Sequence, residues 1–234
     1  MQAIILAGGK GRRLMPYTTV LPKPLMPIGD YPIIEVILRQ LKHCGFSRVT
    51  ISTGYLHELI HAYLDSNRSL GLDIAYVHEE SPLGTIGPLR LIDKLDDTFL
   101  VMNGDILTDI NYRDLIASHT KNKAIATVAT YQRDVNIDFG VLEKDADRRI
   151  TAFQEKPTFH FEVSMGVYVF SKKILDYVPE GKPFGFDQLM YALTAQKEAV
   201  YSYPHTGYWL DIGRPDDYAR SIEEFEKYKD RFLP

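Results

Sequence analysis

The sequence of 234 residues is long enough for one sizeable α/β domain, and its 45% hydrophobic content is enough for a large core. A net charge of −4 and a pI near 6.0 exclude a globally basic, nucleic-acid-binding surface. The sequence shows no bilayer-length apolar stretch and no signal-peptide pattern at its amino terminus, so we expect a cytoplasmic protein without a membrane partner. The single cysteine, Cys44, excludes an internal disulfide and is interpreted as a structural thiol.

The first half of the chain alternates between strand and helix patterns. Apolar residues at helical spacing predict a helix that ends before Gly45, which is a plausible C-cap. The predicted elements are a strand from Ala3, helices over 33–43, 57–64 and 85–95, and strands over 48–52, 74–77 and 98–102. This alternation predicts right-handed βαβ crossovers and a largely parallel sheet, which binds ligands at the carboxyl ends of its strands.

The second half has shorter gaps between its strand patterns, which indicates an antiparallel or mixed extension of the same sheet. The predicted elements are strands over 124–131, 140–143, 150–154, 166–170 and 199–203, and helices over 186–195 and 215–232. No internal repeat or hexapeptide array is visible in the sequence. We therefore predict one three-layer, Rossmann-like α/β domain over 1–234.

The loop after the first strand combines three glycines with three cations. Glycine lets bare backbone N–H groups approach an anion that the cations also face, and polyphosphate is the natural candidate. The loop lacks the Lys-Ser/Thr pair of a P-loop, and Leu14 stands where a dinucleotide-binding motif needs its third glycine. The alternative is a tight strand-to-helix turn with solvated cations.

Two carboxylates are candidates for a metal site. Asp105 comes just after a predicted apolar strand, and Asp211 lies in the segment 209–213. If the fold brings them together, two carboxylates with phosphate oxygens and water suit Mg²⁺. The alternative is that each aspartate is an ordinary turn or cap residue. Asp109 is a competing or auxiliary acid.

A second metal motif is present at His57-Glu58-Leu59-Ile60-His61, which fits the His-Glu-x-x-His pattern of zinc metalloproteases. Histidines four residues apart share one helical face. The predicted helix lies in an early βαβ crossover, however, and no third-ligand motif follows closely. We therefore interpret both histidines as packing or solvent-facing residues.

The run Leu6-Ala7-Gly8-Gly9-x-Gly11-x-Arg13-Leu14-x-Pro16-x-Thr18, followed by Pro22-Lys23-Pro24-Leu25-x-Pro27, resembles the signature of the sugar-1-phosphate nucleotidyltransferases. That family joins a nucleoside triphosphate to a sugar 1-phosphate, giving an NDP-sugar and pyrophosphate. The resemblance covers most of the chain and only the catalytic part of longer relatives that carry a β-helix domain. Arg12 stands where the family usually has threonine.

The resemblance implies roles for named residues. Arg13, Lys23 and Asp105 are the implied catalytic residues, and Mg²⁺ is held by Asp105 and Asp211. The implied nucleotide-binding residues are Leu6, Ala7, Gly8, Gly9, Gly11, Arg12, Arg13, Lys23, Pro82, Gly84 and Thr85. The implied sugar-phosphate residues are Asn103, Gly104, Gly140, Glu155, Lys156, Ser164, Gly166 and Asp187.

Some of these residues also have ordinary structural interpretations. Thr85 fits a helix N-cap, and Asp187 fits an N-cap equally well. The pair Glu155-Lys156 fits a solvated strand end, and Ser164 replaces a more frequent asparagine. The resemblance divides the domain into a mainly NTP-binding half, 1–115, and a mainly sugar-phosphate-binding half, 116–234.

Substrate choice within the family stays open at this level. The loop over 82–89 looks most like guanylyltransferases acting on mannose- or heptose-type 1-phosphates, with uridylyl- and thymidylyltransferases as alternatives. A homodimer is compatible with the resemblance. Two other classes compete: a glycosyltransferase with a carboxylate pair after a strand, and a non-catalytic relative that only binds nucleotide. The spacing of Asp105 and Asp109 differs from the Asp-x-Asp of glycosyltransferases.

Overall fold

A computed structural model describes residues 1–66 and 70–233. Its centre is a seven-stranded sheet in the order β12-β8-β11-β6-β1-β4-β5. These strands are β1 Gln2–Ala7, β4 Arg48–Thr53, β5 Asp73–His78, β6 Thr98–Asn103, β8 Ala126–Asn136, β11 Thr158–Ser171 and β12 Val200–His205. Strands β6, β1, β4 and β5 run parallel, β8 is parallel to β12, and β11 is antiparallel to both of its neighbours.

Three two-stranded sheets and six helices complete the described fold. The small sheets pair β2 Pro27–Ile28 with β3 Tyr31–Pro32, β7 Ile106–Thr108 with β13 Trp209–Asp211, and β9 Val141–Lys144 with β10 Ile150–Gln154. The helices are α1 Ile33–His43, α2 His57–Ser66, α3 Tyr112–Asn122, α4 Phe186–Ala195, α5 Pro215–Lys227 and α6 Lys229–Phe232. No described helix has the length and apolar character needed to cross a membrane.

The seven-stranded sheet separates two hydrophobic cores. Alternate residues of β1 face opposite sides, so Ala3 and Ile5 belong to one core and Ile4 to the other. The larger core contains apolar residues of α1, α2, α3, α5 and α6, whereas the smaller one contains Leu189 and Leu193 of α4. The predicted three-layer α/β fold with a mixed extension is confirmed.

The predicted helix over 85–95 is wrong. Only a short 3-10 segment, Gly87–Leu91, forms there. Pro88 lacks the N–H that an α-helix interior needs, and the N–H groups of Ile86 and Gly87 both donate to the carbonyl oxygen of Phe184, each at 3.0 Å. These two hydrogen bonds hold the start of the segment against Phe184, which precedes α4.

Other predicted boundaries of helices and strands also differ from those in the structure. The predicted helix over 215–232 is two helices, because the backbone leaves the helical conformation at Tyr228, and Phe232 then stacks on Phe225 at 5.8 Å. Strands β8 and β11 extend beyond the predicted ranges into an exposed two-stranded arm. Helix α3 has no predicted counterpart, and Asn111 caps it by accepting a hydrogen bond from the N–H of Arg113 at 3.0 Å.

His119 of α3 is a buried histidine whose protonation should weaken the fold. It is 2% exposed, and its two ring nitrogens pair with the hydroxyls of Thr127 at 2.9 Å and Ser171 at 3.1 Å. Burial lowers the pKa of His119 from 6.5 to about 4. Between these two values the unfolded chain binds the proton that the folded chain excludes, so stability falls as pH falls through this window.

We expect the free energy of unfolding to decrease by about 2–3 kcal/mol from this group between pH 7 and pH 4. Urea unfolding across this pH range measures the decrease. The variant His119→Gln should be less stable at pH 7 but should show a shallower decrease. An identical pH slope in the two proteins would contradict the assignment.

Candidate active site

A cavity of about 440 Å³ opens at the carboxyl ends of β1, β5 and β6. This volume lies within the usual range for small-molecule sites. All eleven predicted nucleotide-binding residues line it, together with Asn103, Gly104 and Asp105. Three residues with no predicted binding role also line it, namely Pro24, Glu79 and Gly213.

The glycine loop packs closely against Thr18 on one side and against Gly54 on the other. Gly11 has a φ of +59°, and a Cβ there would lie 2.8 Å from the Thr18 methyl group. The Thr18 hydroxyl donates to the Gly11 carbonyl at 2.8 Å, which fixes the loop. On the other side, a Cβ at Gly54 would lie 2.8 Å from the Gly8 carbonyl oxygen. The backbone of the loop is therefore held against the cavity.

Asp105 stands just beyond β6, held by close backbone packing. The Gly104 N–H donates to the Leu6 carbonyl at 2.9 Å, and a Cβ on Gly104 would come within 3.1 Å of that oxygen. Oδ2 of Asp105 forms an ion pair with Nζ of Lys23, whose side chain is only 11% exposed. This pair places a cation and a carboxylate beside the glycine loop.

Asp211 reaches the same region through the small sheet of β7 and β13. It lies opposite Ile106, and the Ile212 N–H donates to the Asp105 carbonyl at 3.1 Å. Burial raises the pKa of Asp211, as does the neighbouring Asp105, whereas Lys23 and Arg13 lower this pKa. The structure thus brings together the two carboxylates that the sequence analysis paired.

The carboxylate pair fits a hard divalent cation. Oδ1 of Asp105 is buried and has no hydrogen-bond partner in the described part of the chain. A buried carboxylate oxygen without a partner is costly unless a cation or water satisfies it. Residues 1–66 and 70–233 contain no group of three metal-ligating side chains. Two carboxylates, completed by phosphate oxygens and water, are the set that Mg²⁺ accepts.

Arg13 is exposed and lies near Asp211, whose pKa its charge lowers. Its guanidinium packs over Gly213, where a Cβ would lie 3.4 Å from the guanidinium nitrogens. Arg13 and Lys23 supply two positive charges against the two negative charges of Asp105 and Asp211. The site is therefore close to neutral without a ligand.

Glu79 contributes a carboxylate to the cavity that was not predicted as a site residue. It follows β5 as Asp105 follows β6, so the rule that carboxyl ends of parallel strands carry functional groups would have found it. Its oxygens accept hydrogen bonds from the Ser52 hydroxyl at 2.8 Å and the Leu83 N–H at 3.0 Å. A Cβ on Gly8 would lie 2.5 Å from Oε1, so any side chain at this position would displace the Glu79 carboxylate.

Thr85 in the cavity wall caps a distant helix. Its hydroxyl accepts a hydrogen bond at 2.9 Å from the N–H of Phe186, the first residue of α4. Thr85 is therefore not the N-cap of the segment that follows it, and its hydroxyl instead satisfies the first N–H of α4. Gly84, with a φ of +79°, lies against the Phe184 backbone. The loop over 82–85 and the start of α4 form one packed unit.

Asp187 is not an N-cap. Gly185 occupies that position, and Asp187 is the second residue of α4, where a negative charge is favourable near the helix N-terminus. The Gly185 N–H donates to the side chain of Gln188 at 2.7 Å. Asp187 is exposed and is not part of the cavity lining.

The predicted acceptor residues fall into two groups. Asn103 lines the cavity and lies against Gly166, where a Cβ would meet Nδ2 at 2.6 Å and where φ is +73°. Ser164 precedes this point, at an irregularity in the pairing of β11 with β8. Asn103 and Gly104 are therefore the acceptor residues that line the cavity, and Gly166 and Ser164 lie next to Asn103 without lining it.

The second group, Gly140, Glu155 and Lys156, lies outside the cavity lining on the small sheet of β9 and β10 and its flanks. A Cβ on Gly140 would lie 2.4 Å from the Phe153 ring and 3.3 Å from Oε2 of Glu155. Lys156 is exposed and has a φ of +44°, which is uncommon for a residue with a side chain. This group therefore forms its own cluster beyond the cavity.

Asp109 holds the fold around the site and does not line the cavity. Its Oδ1 accepts from the Tyr208 N–H at 2.7 Å and pairs with Nε2 of His205 at 3.0 Å, and its Oδ2 pairs with Arg231. The carboxylate is only 12% exposed. Asp109 therefore anchors the turn that leads into β13, which ends at Asp211.

The two histidines of the zinc-like motif are packing residues in this structure. The ring of His61 lies 3.9 Å from that of Tyr76, and the ring of His57 lies 4.1 Å from that of His78. Burial lowers the pKa of His61, and the neighbouring His57 lowers it further. These contacts are between the first turns of α2 and the edge strand β5.

Comparison with known proteins assigns the chain to a family, since a model described as nucleotidyl transferase matches residues 2–228. The chain belongs to the nucleotidyl transferase family. This confirms the resemblance found in the glycine loop and the segment 22–27.

Three relatives of this nucleotidyl transferase are informative. It is 34% identical over 228 residues to a mannose-1-phosphate guanylyltransferase of Mycobacterium tuberculosis, covering 94% of this chain and 63% of the relative's length. It is 34% identical to a D-glycero-alpha-D-manno-heptose 1-phosphate guanylyltransferase of Aneurinibacillus thermoaerophilus, covering 97% and 100% of the two chains. The crystal structure of HddC from Yersinia pseudotuberculosis, also solved in complex with GMP-PN, superposes with a TM-score of 0.74 at 26% identity and covers 96% and 99%.

Proposed function

We propose that this nucleotidyl transferase joins a nucleoside triphosphate to a sugar 1-phosphate, forming an NDP-sugar and pyrophosphate. The observation that carries the proposal is the meeting of the glycine loop, the Lys23–Asp105 ion pair and Asp211 at one end of the sheet. Backbone N–H groups and cations of this loop suit a polyphosphate. The cavity continues from the glycine loop to Glu79, Pro82, Gly84 and Thr85, which supports a place for the base at that end.

In this reaction an oxygen of the sugar phosphate forms a bond to the α-phosphorus, and the bond from that phosphorus to the β-phosphate bridging oxygen breaks. The electron pair leaves with pyrophosphate, so no covalent nucleophile of the chain is needed. Catalysis then consists of positioning and charge neutralisation. Lys23 neutralises charge at the α-phosphate, and Arg13 neutralises charge on the departing phosphates.

The carboxylates Asp105 and Asp211 would hold Mg²⁺. Oδ1 of Asp105 has no partner within the described residues, and this together with the raised pKa of Asp211 supports a cation between them. When bound, the metal ion supplies positive charge to phosphate oxygens of the triphosphate. The ion pair with Lys23 keeps Oδ2 of Asp105 oriented before substrate arrives.

Guanine is the proposed base, and Glu79 supports it. Guanine presents two adjacent donors, N1–H and the N2 amino group, which suit a carboxylate acceptor. Uracil and thymine present one N–H flanked by two carbonyl oxygens, which a carboxylate repels. The hydrogen bonds from Ser52 and Leu83 orient both Glu79 oxygens and leave each a lone pair for the base.

A mannose- or heptose-type 1-phosphate is the proposed acceptor, bound near Asn103 and Gly166 and by Glu155 and Lys156 beyond the cavity. Glu155 would accept hydrogen bonds from sugar hydroxyls, and Lys156 would bind the phosphate. The names of the two curated relatives support this sugar class. Because its substrates are intracellular metabolites, the proposed site of action is the cytoplasm.

The direct test is pyrophosphate release from matched pairs of substrates. GTP, UTP and dTTP are each incubated with mannose, heptose and glucose 1-phosphates in the presence of Mg²⁺. We expect release with GTP and a mannose- or heptose-type acceptor. Absence of release with every pair would reject the proposed activity and leave a non-catalytic nucleotide-binding protein.

The variant Glu79→Gln tests base selection separately. It removes the charge that favours guanine, so we expect GTP affinity to fall about ten- to one-hundredfold while UTP and dTTP binding is unchanged or improved. Thermal shifts with each nucleotide and Mg²⁺ give the comparison. Glu80→Gln is the matched control, because Glu80 is exposed and outside the cavity lining. Equal losses for all three nucleotides would contradict base recognition by Glu79.

A further inference from the structure

Exposed phenylalanines are concentrated in one region of the chain. Four phenylalanines are exposed in residues 1–66 and 70–233, and all four lie between residues 139 and 161, where three further large apolar residues are exposed. The seven residues are Val135, Phe139, Leu142, Ile150, Phe153, Phe159 and Phe161. They belong to the arm, which consists of residues 131–136 of β8 and 158–163 of β11, and to its tip, residues 137–157. Single exposed apolar residues are ordinary, whereas a cluster of this kind marks an interaction surface.

The pairing register of the arm sorts its residues onto two different faces. Residues directly opposite each other in an antiparallel pair share a face, and successive residues along a strand alternate between faces. One face carries mainly apolar cross-strand pairs, namely Phe159 with Val135, Phe161 with Arg133 and Val163 with Tyr131. The other face carries polar pairs, namely Thr158 with Asn136, His160 with Asp134 and Glu162 with Gln132. The arm is therefore amphipathic, as antiparallel strands are when one face packs on a core and the other faces water.

The polar face of the arm makes its own hydrogen bonds between side chains. The Thr158 hydroxyl donates to Oδ1 of Asn136 at 2.8 Å, and Nδ1 of His160 pairs with Oδ1 of Asp134 at 2.7 Å. Both pairs join residues that lie directly opposite each other in the two strands. This face is therefore suited to water.

Within the described chain, the apolar face is covered only at the base of the arm, where the Tyr131 ring lies 5.4 Å from the Trp209 ring. Farther out, the rings of Phe159 and Phe161 stack on each other at 6.5 Å and stay 37% and 52% exposed. At the tip, the other two exposed phenylalanines, at positions 139 and 153, are 78% and 60% exposed. The alternation of apolar and polar residues therefore continues along the arm beyond the part that the domain itself covers.

We propose that the apolar face of the arm binds the same face of a second copy of this chain about a two-fold axis. The exposed area fits this partner. At about 200 Å² per phenylalanine, the four exposed phenylalanines leave on the order of 450 Å² of apolar surface uncovered. A standard interface covers about 800 Å² of each partner, and a little more than half of that area is apolar. The phenylalanines alone therefore supply the apolar area that a stable dimer buries.

The charges of the arm also fit a second copy. Arg133 is the only charged residue among the six on the apolar face, and its side chain forms no hydrogen bond or ion pair within residues 1–66 and 70–233. Asp138 at the tip is exposed and is also unpaired within these ranges. A two-fold axis through the pair of Val135 and Phe159 makes the two arms run in opposite directions. Arg133 of each copy then lies toward the tip of the other copy, where Asp138 is available, and the symmetry forms this ion pair twice.

Analytical ultracentrifugation over a range of protein concentrations tests the dimer, and the variants Phe159→Ser and Phe161→Ser test the surface. We expect the wild type to sediment with twice the 26.7 kDa mass of one chain. Each variant should raise the dissociation constant of the dimer by about 30-fold or more, because an aromatic anchor is lost from both copies. His160→Ser is the matched control and should leave this constant unchanged, since His160 lies between the two phenylalanines on the opposite face of the same strand. Circular dichroism verifies the fold of each variant.

Chemical cross-linking locates the interface independently. A bismaleimide that spans about 10 Å, the separation of packed sheets, should join two copies of Val135→Cys but not two copies of Asn136→Cys, which carries its thiol on the polar face. Cys44 is present in both variants and gives a common background.

A wild-type protein that is monomeric at every concentration would overturn the inference and would leave the apolar face to a different protein. A dimer that both phenylalanine variants leave unchanged, or a cross-link through Asn136→Cys alone, would also overturn it, because the two copies would then meet elsewhere. Self-association is measured without substrate, so this inference does not rest on the proposed function.

Discussion

Replacing Asp105 with asparagine should lower turnover by a large factor while leaving the fold intact. The change keeps the size of the side chain but removes the charge that pairs with Lys23 and that would hold a divalent cation. Loss of one preorganised electrostatic partner of this kind costs on the order of 10²- to 10³-fold in kcat. Pyrophosphate release at saturating substrates measures the loss, and circular dichroism with thermal unfolding verifies the fold.

The matched control for this variant is Asp93→Asn. Asp93 is exposed and does not line a cavity, so the activity of Asp93→Asn should equal that of the wild type. Raising the Mg²⁺ concentration should restore little of the activity of Asp105→Asn, since the missing group is the ligand itself. Activity of Asp105→Asn close to that of the wild type at low Mg²⁺ would refute the metal assignment.

Replacing Lys156 with alanine should mainly weaken sugar 1-phosphate binding. The exposed ammonium group would contact the acceptor phosphate, whereas the triphosphate region around Lys23 stays unchanged. Removal of one charge-assisted contact should lower kcat/KM for the acceptor by about 30- to 1,000-fold, equivalent to about 2–4 kcal/mol. Initial rates over a range of sugar 1-phosphate concentrations, at saturating NTP, measure the effect.

Lys144→Ala is the control for the acceptor experiment, because Lys144 is an exposed lysine at the end of β9 in the same small sheet. It should leave both substrate dependences unchanged. The left-handed backbone at Lys156 makes the position unusual before Pro157 and supports a functional reason for holding the side chain there. If Lys156→Ala leaves the acceptor dependence unchanged, the lysine has no part in binding the sugar phosphate.

Strong periodicity made parts of the fold predictable. Helix α1 begins and ends where the apolar spacing predicts, and Gly45, with a φ of +79°, follows it as expected of a residue after a helix. Helix α3 was not predicted because most of its residues are polar, which leaves only a weak apolar pattern. The arm formed by β8 and β11 was not predicted because it extends beyond the packed layers. Neither face of the arm is buried within the described residues, so the core of the domain does not set the alternation of apolar and polar residues there.

In the site, too, local sequence patterns predicted some residues, whereas others depend on contacts between distant segments. The glycine loop and Asp105 could be found because they follow apolar strands in the sequence. The position of Glu79 depends on Gly8 and Ser52, which lie in other strands or loops. The role of Thr85 depends on Phe186, 101 residues later. Such contacts are set by tertiary packing, which a pattern in one sequence does not record.

The central position of β11 determines how the two proposed halves of the chain relate. Although it belongs to the second half, β11 pairs with β6 of the first half, and β13 pairs with β7 in the same way. Separating the halves would leave β6 with an open edge in the interior of the sheet and would take Asp211 away from Asp105. The described fold therefore has no boundary near residue 115 along which either half could act as an autonomous unit, and the proposed division there concerns ligand roles only.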